Sequence, residues 1–371
     1  MELTDTSLIV LLAGLALGLF GVIVAGLPRR GRAVWRGVGR GLQVLVLNVV
    51  VAALCGTVLN DQYLFYSSWA DLLGSRSPSV QVHQGGSSPG RVASKVPGPG
   101  FAGMSTPAQL PPLPAPASRL QTYTVVAQRS NAAGQVVVSL PVGYDPASPR
   151  TYPVVLGLHG FPSGPMSFVG LPFITTADLL ASQHELASSI VVVPRIDTPA
   201  TLDTECVNGG PGEPQTDTWL THDIPAWVAQ HFRVELTRSA WAAVGYSYGA
   251  WCAASITMRH PDVFGAAIVM LGYFRPDFSR GYDPLTTSTL HGYDLVNIAR
   301  RAPPPVAMWV LTSRSDSLSY PTTSAFLSAA RAPLEVAGTI LATGGHRDSV
   351  FEPFIPAALR WLGQTLPGFR G

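Results

Sequence analysis

The pentapeptide Gly245-Tyr246-Ser247-Tyr248-Gly249 constrains this chain more than any other stretch. It follows the apolar run Trp241-Ala242-Ala243-Val244 and precedes the small-residue stretch Ala250-Trp251-Cys252-Ala253-Ala254. A G-x-S-x-G between a strand and a helix reads as a nucleophile elbow. A serine on a strained turn needs glycines two residues to either side, because side chains there would collide with the neighbouring strand and helix. Taken alone, the motif is also an ordinary glycine-rich turn, so its context must decide. Ser247 is the first candidate nucleophile.

The context is a βα rhythm. From Arg119 onward, apolar runs of strand length alternate with segments of helical spacing, which predicts a mostly parallel sheet covered by helices on both faces. Expected strands are 120–127, 134–140, 153–158, 188–194, 241–246, 266–271, 305–311 and 334–341, and the expected helices are 219–232, 250–260, 324–331 and 353–366. The first two strands read as an antiparallel hairpin turning at Asn131-Ala132-Ala133-Gly134. The later ones are continuous apolar runs, as strands buried on both faces must be.

A serine hydroxyl is a weak nucleophile at neutral pH and needs an adjacent base held by a third group. In this strand order the partners follow the elbow as acid and then histidine. Asp316 lies just past the strand that ends near Leu311, and His346 follows the strand that ends at Leu341, on the glycine turn Gly344-Gly345. Groups leaving the C-terminal ends of parallel strands converge on one crevice. Asp283, Asp294 and Asp348 are fallback acids, and His159 and His260 are read as structural. An oxyanion needs preorganised donors, each worth roughly 3–4 kcal/mol in well-studied hydrolases. One is expected from the Tyr248 N–H, and the other from the turn His159-Gly160-Phe161-Pro162, where Pro162 has no amide proton and Phe161 is preferred.

Over residues 119–366 the chain resembles the esterase family of the α/β-hydrolase superfamily, which includes S-formylglutathione hydrolases, feruloyl esterases and secreted mycolyltransferases. The resemblance rests on Leu158-His159-Gly160-Phe161, Gly245-Tyr246-Ser247-Tyr248-Gly249, Arg259-His260-Pro261-Asp262-Val263-Phe264 and Gly344-Gly345-His346. It implies an α/β-hydrolase fold, Ser247 as nucleophile, His346 as base and the amides of Phe161 and Tyr248 as oxyanion donors, with Asp316 matching by position. Mycolyltransferases differ in usually carrying Glu as the third member and a cleaved signal. The likeness leaves open whether the acyl-enzyme passes to water or to an alcohol.

Outside the resemblance, residues 8–27 are uncharged and almost wholly apolar, long enough to cross a hydrocarbon core of about 30 Å. Residues 42–59 form a second, shorter candidate span. Arg29, Arg30, Arg32, Arg36 and Arg40 lie between the two, whereas Glu2 and Asp5 precede the first. A cleaved signal peptide has its basic residues before the apolar core. The positive-inside bias therefore predicts a retained hairpin with a cytoplasmic loop and everything after Leu59 outside the cytoplasm. Domain expectations follow: a membrane anchor at 1–60, an interfacial segment and Pro/Gly/Ser-rich tether at 61–118, and a catalytic domain at 119–371. The tether has too little apolar surface to offset its ordering entropy. Residues 61–74 carry aromatics suited to a membrane interface, or to an ordinary amphipathic connector. Residues 273–302 exceed an ordinary connection and read as a cap over the acyl pocket or as a surface excursion.

Lys95 is the only lysine among 24 Lys and Arg residues, a skew typical of GC-rich bacterial genomes. With a net charge of +2 and its basic residues concentrated between the spans, the chain has no nucleic-acid signature. No His or Cys cluster stands at metal-ligand spacing, and no metal or cofactor is expected. Cys206 and Cys252 fall in a compartment where disulfides persist, but spacing alone leaves a bridge and two free thiols equally open. The expected function is a multi-pass, membrane-anchored extracytoplasmic serine esterase or acyltransferase acting on lipid or cell-envelope esters. The alternative is an inactive hydrolase-like module that binds envelope glycolipids or partner proteins.

Overall fold

The computed structural model describes residues 3, 5–25, 33–63, 65–74, 80–85, 96, 98–279 and 281–371. Arg29, Arg30, Arg32 and Lys95 lie outside the described residues, as does the end of the first expected span at 26–27. Two N-terminal helices, α1 (Thr6–Ala25) and α2 (Ala33–Tyr63), pack against each other. Both contain stretches long and apolar enough to cross a membrane, Thr6–Ala25 and Gly39–Asp61. Their large apolar side chains are mostly exposed, Leu17 at 72% and Leu42 at 61%, a surface that water would penalise and hydrocarbon would not.

The remaining strands form one sheet: β1 (Val80–Gly85), β2 (Leu120–Val126), β3 (Ala133–Ser139), β4 (Val154–Leu158), β5 (Ile190–Pro194), β6 (Trp241–Tyr246), β7 (Ala266–Met270), β8 (Ala307–Ser313) and β9 (Glu335–Leu341). Their order is β1-β9-β8-β7-β6-β4-β5-β3-β2. β4 to β9 are mutually parallel, the β2–β3 hairpin closes one side antiparallel, and β1 closes the other.

The apolar runs that predicted buried strands split by period two between the faces. Val154, Leu156 and Leu158 of β4 point into a core shared with Trp219, Val228, Trp251 and Ile256. Val155 points into the opposite core, with Phe173, Leu180, Leu359 and Leu362. Helices α3 (Phe173–Ser182) and α7 (Ile355–Thr365) therefore cover one face, while α4 (Ile224–His231), α5 (Tyr248–Arg259) and α6 (Tyr320–Ala329) cover the other. Truncating a fully buried residue such as Leu156 to Ala should cost about 2–5 kcal/mol.

The segment expected as a tether behaves differently from its composition. Val80–Gly85 pairs antiparallel with β9, from Val80 opposite Leu341 to Gly85 opposite Val336. Further on, Gly100 N donates to Asp262 Oδ2 at 2.7 Å, and Phe101 packs on Trp241 with ring centroids 5.1 Å apart. Arg233 donates to the carbonyls of Pro107 and Ala108 at 2.8 and 2.7 Å. The ribbon is held through its backbone by side chains more than a hundred residues away, so its low apolar content does not leave it undocked.

Candidate active site

β6 ends in a turn that places Ser247 at φ 56°, ψ −127°, a conformation costing a non-glycine residue of order 1–3 kcal/mol. The turn persists because it is tied on both sides. Ser247 N donates to Met270 O at 2.9 Å, and the Ser247 carbonyl accepts from Ala250 N at 3.0 Å and Trp251 N at 3.2 Å. The flanking glycines are required sterically. A Cβ on Gly245 would lie 2.1 Å from Gly249 O, and one on Gly249 would lie 2.2 Å from Leu158 O.

β8 delivers Asp316 and β9 delivers His346 to the same edge. His346 Nε2 stands 2.7 Å from Ser247 Oγ, and Nδ1 stands 2.8 Å from Asp316 Oδ2. With Asp316 ionised, Nδ1–H donates to the carboxylate and Nε2 accepts from the serine hydroxyl. Asp316 is fully buried; Ser319 Oγ donates to Oδ2 at 2.6 Å, and the N–H of Leu318 donates to Oδ1 at 3.1 Å. Burial alone would raise this carboxyl, but the hydrogen bonds from His346 and Ser319 outweigh it and hold it below its ordinary value. The loops carrying acid and base are cross-tied: Ser315 Oγ accepts from Gly344 N at 3.0 Å and donates to Gly344 O at 3.3 Å. Gly344 has φ 138°, which excludes ordinary side chains there.

Phe161, in the turn after β4, and Tyr248 both line the cavity that holds Ser247, with ring centroids 5.7 Å apart. Tyr248 opens α5, so its N–H has no intrahelical acceptor. His159 supports this turn: it is fully buried, its Nδ1 donates to Gly160 O at 2.8 Å and its Nε2 accepts from Ile196 N at 3.3 Å. Burial, its main perturbation, lowers the imidazole pKa and favours this neutral form. His260 lies beside Asp217, away from Ser247. The fallback acids have other surroundings. Asp294 caps the helix Leu295–Arg301, Asp283 accepts from Leu285 N, and Asp348 lines the cavity while Asp316 takes the His346 bond.

The cavity measures about 790 Å³. A larger groove of about 940 Å³ lies along the 129–133 and 209–215 loops and excludes Ser247. The start of the 273–302 excursion, Tyr273 to Ser279, walls the cavity, while Tyr293 packs away from it, donating to Asp217 and accepting from Asn208 N. Cys206 and Cys252 are disulfide-bonded, joining the loop before α4 to the helix behind Ser247.

Two features escaped the sequence reading. Arg347, next to His346, is bidentate to Asp71 at 2.7 and 2.8 Å, donates to Phe65 O at 2.7 Å and lies 4.5 Å from the Tyr66 ring centroid. The segment following α2 therefore touches the base's loop, and Phe65 lines the same cavity. The second feature is a carboxyl pair, Asp203 and Glu205, in the cavity wall. Neither carries a motif; each becomes visible only when distant loops meet.

The model of the family described as "Putative esterase" matches residues 127–363. The chain belongs to this esterase family. The family is one of esterases, and the fold is α/β. Solved structures with the same fold include a ferulic acid esterase, at 20% identity and TM-score 0.55, covering 66% of this esterase and 97% of that chain. An S-formylglutathione hydrolase from Agrobacterium tumefaciens has 17% identity and TM-score 0.54, covering 67% and 95%. A fluorophosphonate-binding serine hydrolase from Staphylococcus aureus has 18% identity and TM-score 0.51, covering 66% and 97%. At such identities they speak for the fold alone. An uncharacterized protein of Corynebacterium glutamicum is 32% identical over 124 residues, which span 32% of this esterase and about a quarter, 27%, of that protein's length.

Proposed function

We propose that the protein is a membrane-anchored, extracytoplasmic serine esterase or acyltransferase of lipid or cell-envelope esters. Ser247 would act as nucleophile, His346 as base and Asp316 as the group that orients it. The observation that carries this reading is the unbroken hydrogen-bond chain Ser247–His346–Asp316 on a strained turn at the C-terminal edge of the sheet.

In this reading Ser247 Oγ attacks the ester carbonyl while its proton passes to His346 Nε2. The oxyanion takes hydrogen bonds from the N–H groups of Tyr248 and Phe161. Collapse expels the alcohol, which leaves with the His346 proton. Water or a second alcohol then attacks the acyl-enzyme, giving its proton to His346, and Ser247 is regenerated. No metal or cofactor takes part in the scheme. The charged Asp316 stabilises the imidazolium in both half-reactions.

Residues 1–60 would form the anchor and 119–371 the catalytic domain, with the hairpin's arginine loop cytoplasmic. Lipid or envelope substrates are favoured by the contacts of Phe65, Tyr66 and Asp71 with the Arg347 loop, which bring the stretch following α2 to the cavity mouth. The test is turnover of a short-chain 4-nitrophenyl ester by the full chain and by Ser247→Ala and His346→Ala. Each variant should lose at least about 10³-fold in kcat. Full turnover by Ser247→Ala would sink the reading and favour a binding module.

A further inference from the structure

The cavity wall built by the 203–205 loop and the excursion is acidic. Asp203, Glu205 and Asp277 line the same space as Ser247, and of its basic residues Arg347 is already paired with Asp71. Asp203 and Glu205 are 7% and 1% exposed. The two carboxyls lie against each other, Asp203 also meets the Glu205 backbone and Glu205 the Asp277 backbone, and each takes hydrogen bonds from the excursion. Asp203 Oδ2 accepts from Ser279 N at 2.9 Å and from Ser279 Oγ at 2.7 Å, and Glu205 Oε1 accepts from the Tyr273 hydroxyl at 2.6 Å. The other oxygens, Asp203 Oδ1 and Glu205 Oε2, are buried without a hydrogen-bond partner. Buried carboxylate oxygens left in this state cost stability, and a group of this kind calls for a functional explanation such as a partner that completes it.

The backbone holds Glu205 in place firmly. Glu205 and Cys206 have φ 47° and 50°, the disulfide ties Cys206 to α5, and Trp251 Nε1 donates to Glu205 O at 2.9 Å. Burial, followed by the neighbouring charge of Asp203, raises the Glu205 carboxyl, and burial raises Asp203 as well.

We infer that Asp203 and Glu205 form a subsite for a cationic amine, so that the preferred substrate is an ester bearing a protonated or quaternary amine near its carbonyl. This rests on the Ser247 reading for the reaction, though not for the binding. A neutral polyol could donate to the same oxygens but leaves the carboxylate charge uncompensated, whereas an ammonium group neutralises it.

The test is calorimetric binding to full-length Ser247→Ala protein, which requires no turnover. Alanine benzyl ester is compared with benzyl propionate to place the amine on the acyl side. Acetylcholine is compared with 3,3-dimethylbutyl acetate to place it on the alcohol side. In at least one pair the cation should bind tenfold or more tightly, and adding Glu205→Gln or, separately, Asp203→Asn should reduce that ratio to below threefold. Equal affinities in both pairs, or a ratio that survives both substitutions, would overturn the subsite. Discrimination in this experiment alongside an inert wild-type enzyme would keep the subsite and discard the catalytic reading.

Discussion

The two edges of the parallel sheet solve opposite problems. At the C-terminal edge, Ser247, Glu205, Cys206 and Leu271 all hold positive φ, and buried carboxyls crowd one cavity. At the N-terminal edge, Phe101 packs at a tilt on Trp241, Asp262 receives the Gly100 amide, and Arg259 and His260 close on Asp217. The first edge gathers strained turns and unpartnered carboxyl oxygens around one cavity, while the contacts named at the second are paired. The difference shows where the fold's stability is generated and where it is drawn upon.

Substitutions should break this contrast in order of size. Asp316→Asn deprives His346 of the acceptor that fixes its tautomer, so kcat for ester turnover should fall by a factor on the order of 10⁴ with the thermal midpoint little changed. Steady-state kinetics beside a melting curve checks both. Gly249→Ala drives a methyl group into the Leu158 carbonyl, and its denaturant midpoint should report a loss of about 3 kcal/mol.

At the opposite edge, burial alone would raise Asp217, but its His260 and Arg259 contacts hold it down at about 2. A depressed carboxyl stabilises the fold above its unfolded value near 4 and loses that contribution as pH falls toward the folded value. Acid titration of stability should therefore show about 2 kcal/mol lost between roughly pH 4 and 2, absent in Asp217→Asn. The smallest effect is expected for Asp262→Ala, which frees the Gly100 amide at a cost of about 1 kcal/mol and leaves kcat unaltered. A kinetic defect in that variant would mean that the two edges are coupled.

Much of the catalytic edge could be read from residue order. Strand runs 241–246 and 266–271 match β6 and β7 to within a residue because uninterrupted apolar runs have only one stable place, the middle of a covered sheet. The elbow glycines announce their own steric need. Residues 80–85 escaped the reading because Val80-Gln81-Val82-His83-Gln84-Gly85 alternates over only two apolar residues, and its partner strand lies some 250 positions later. The ribbon around Phe101 was hidden for a related reason: composition measures what a segment can bury by itself, not which arginine will hold its carbonyls. Asp203 and Glu205 sat in a Gly/Pro-rich loop with no periodicity, and the disulfide, Trp251 and the Tyr273 segment bring them into the cavity that holds Ser247.

The central claim is that the strained edge carries an activated serine. Its most direct test is reaction of the purified full-length protein with a fluorophosphonate, followed by mass spectrometry of the modified peptide. The account predicts a single adduct on Ser247 that vanishes in Ser247→Ala and falls at least about 10³-fold in labelling rate in His346→Ala. A folded protein whose Ser247 stays unmodified, or whose labelling rate is indifferent to His346, would contradict it.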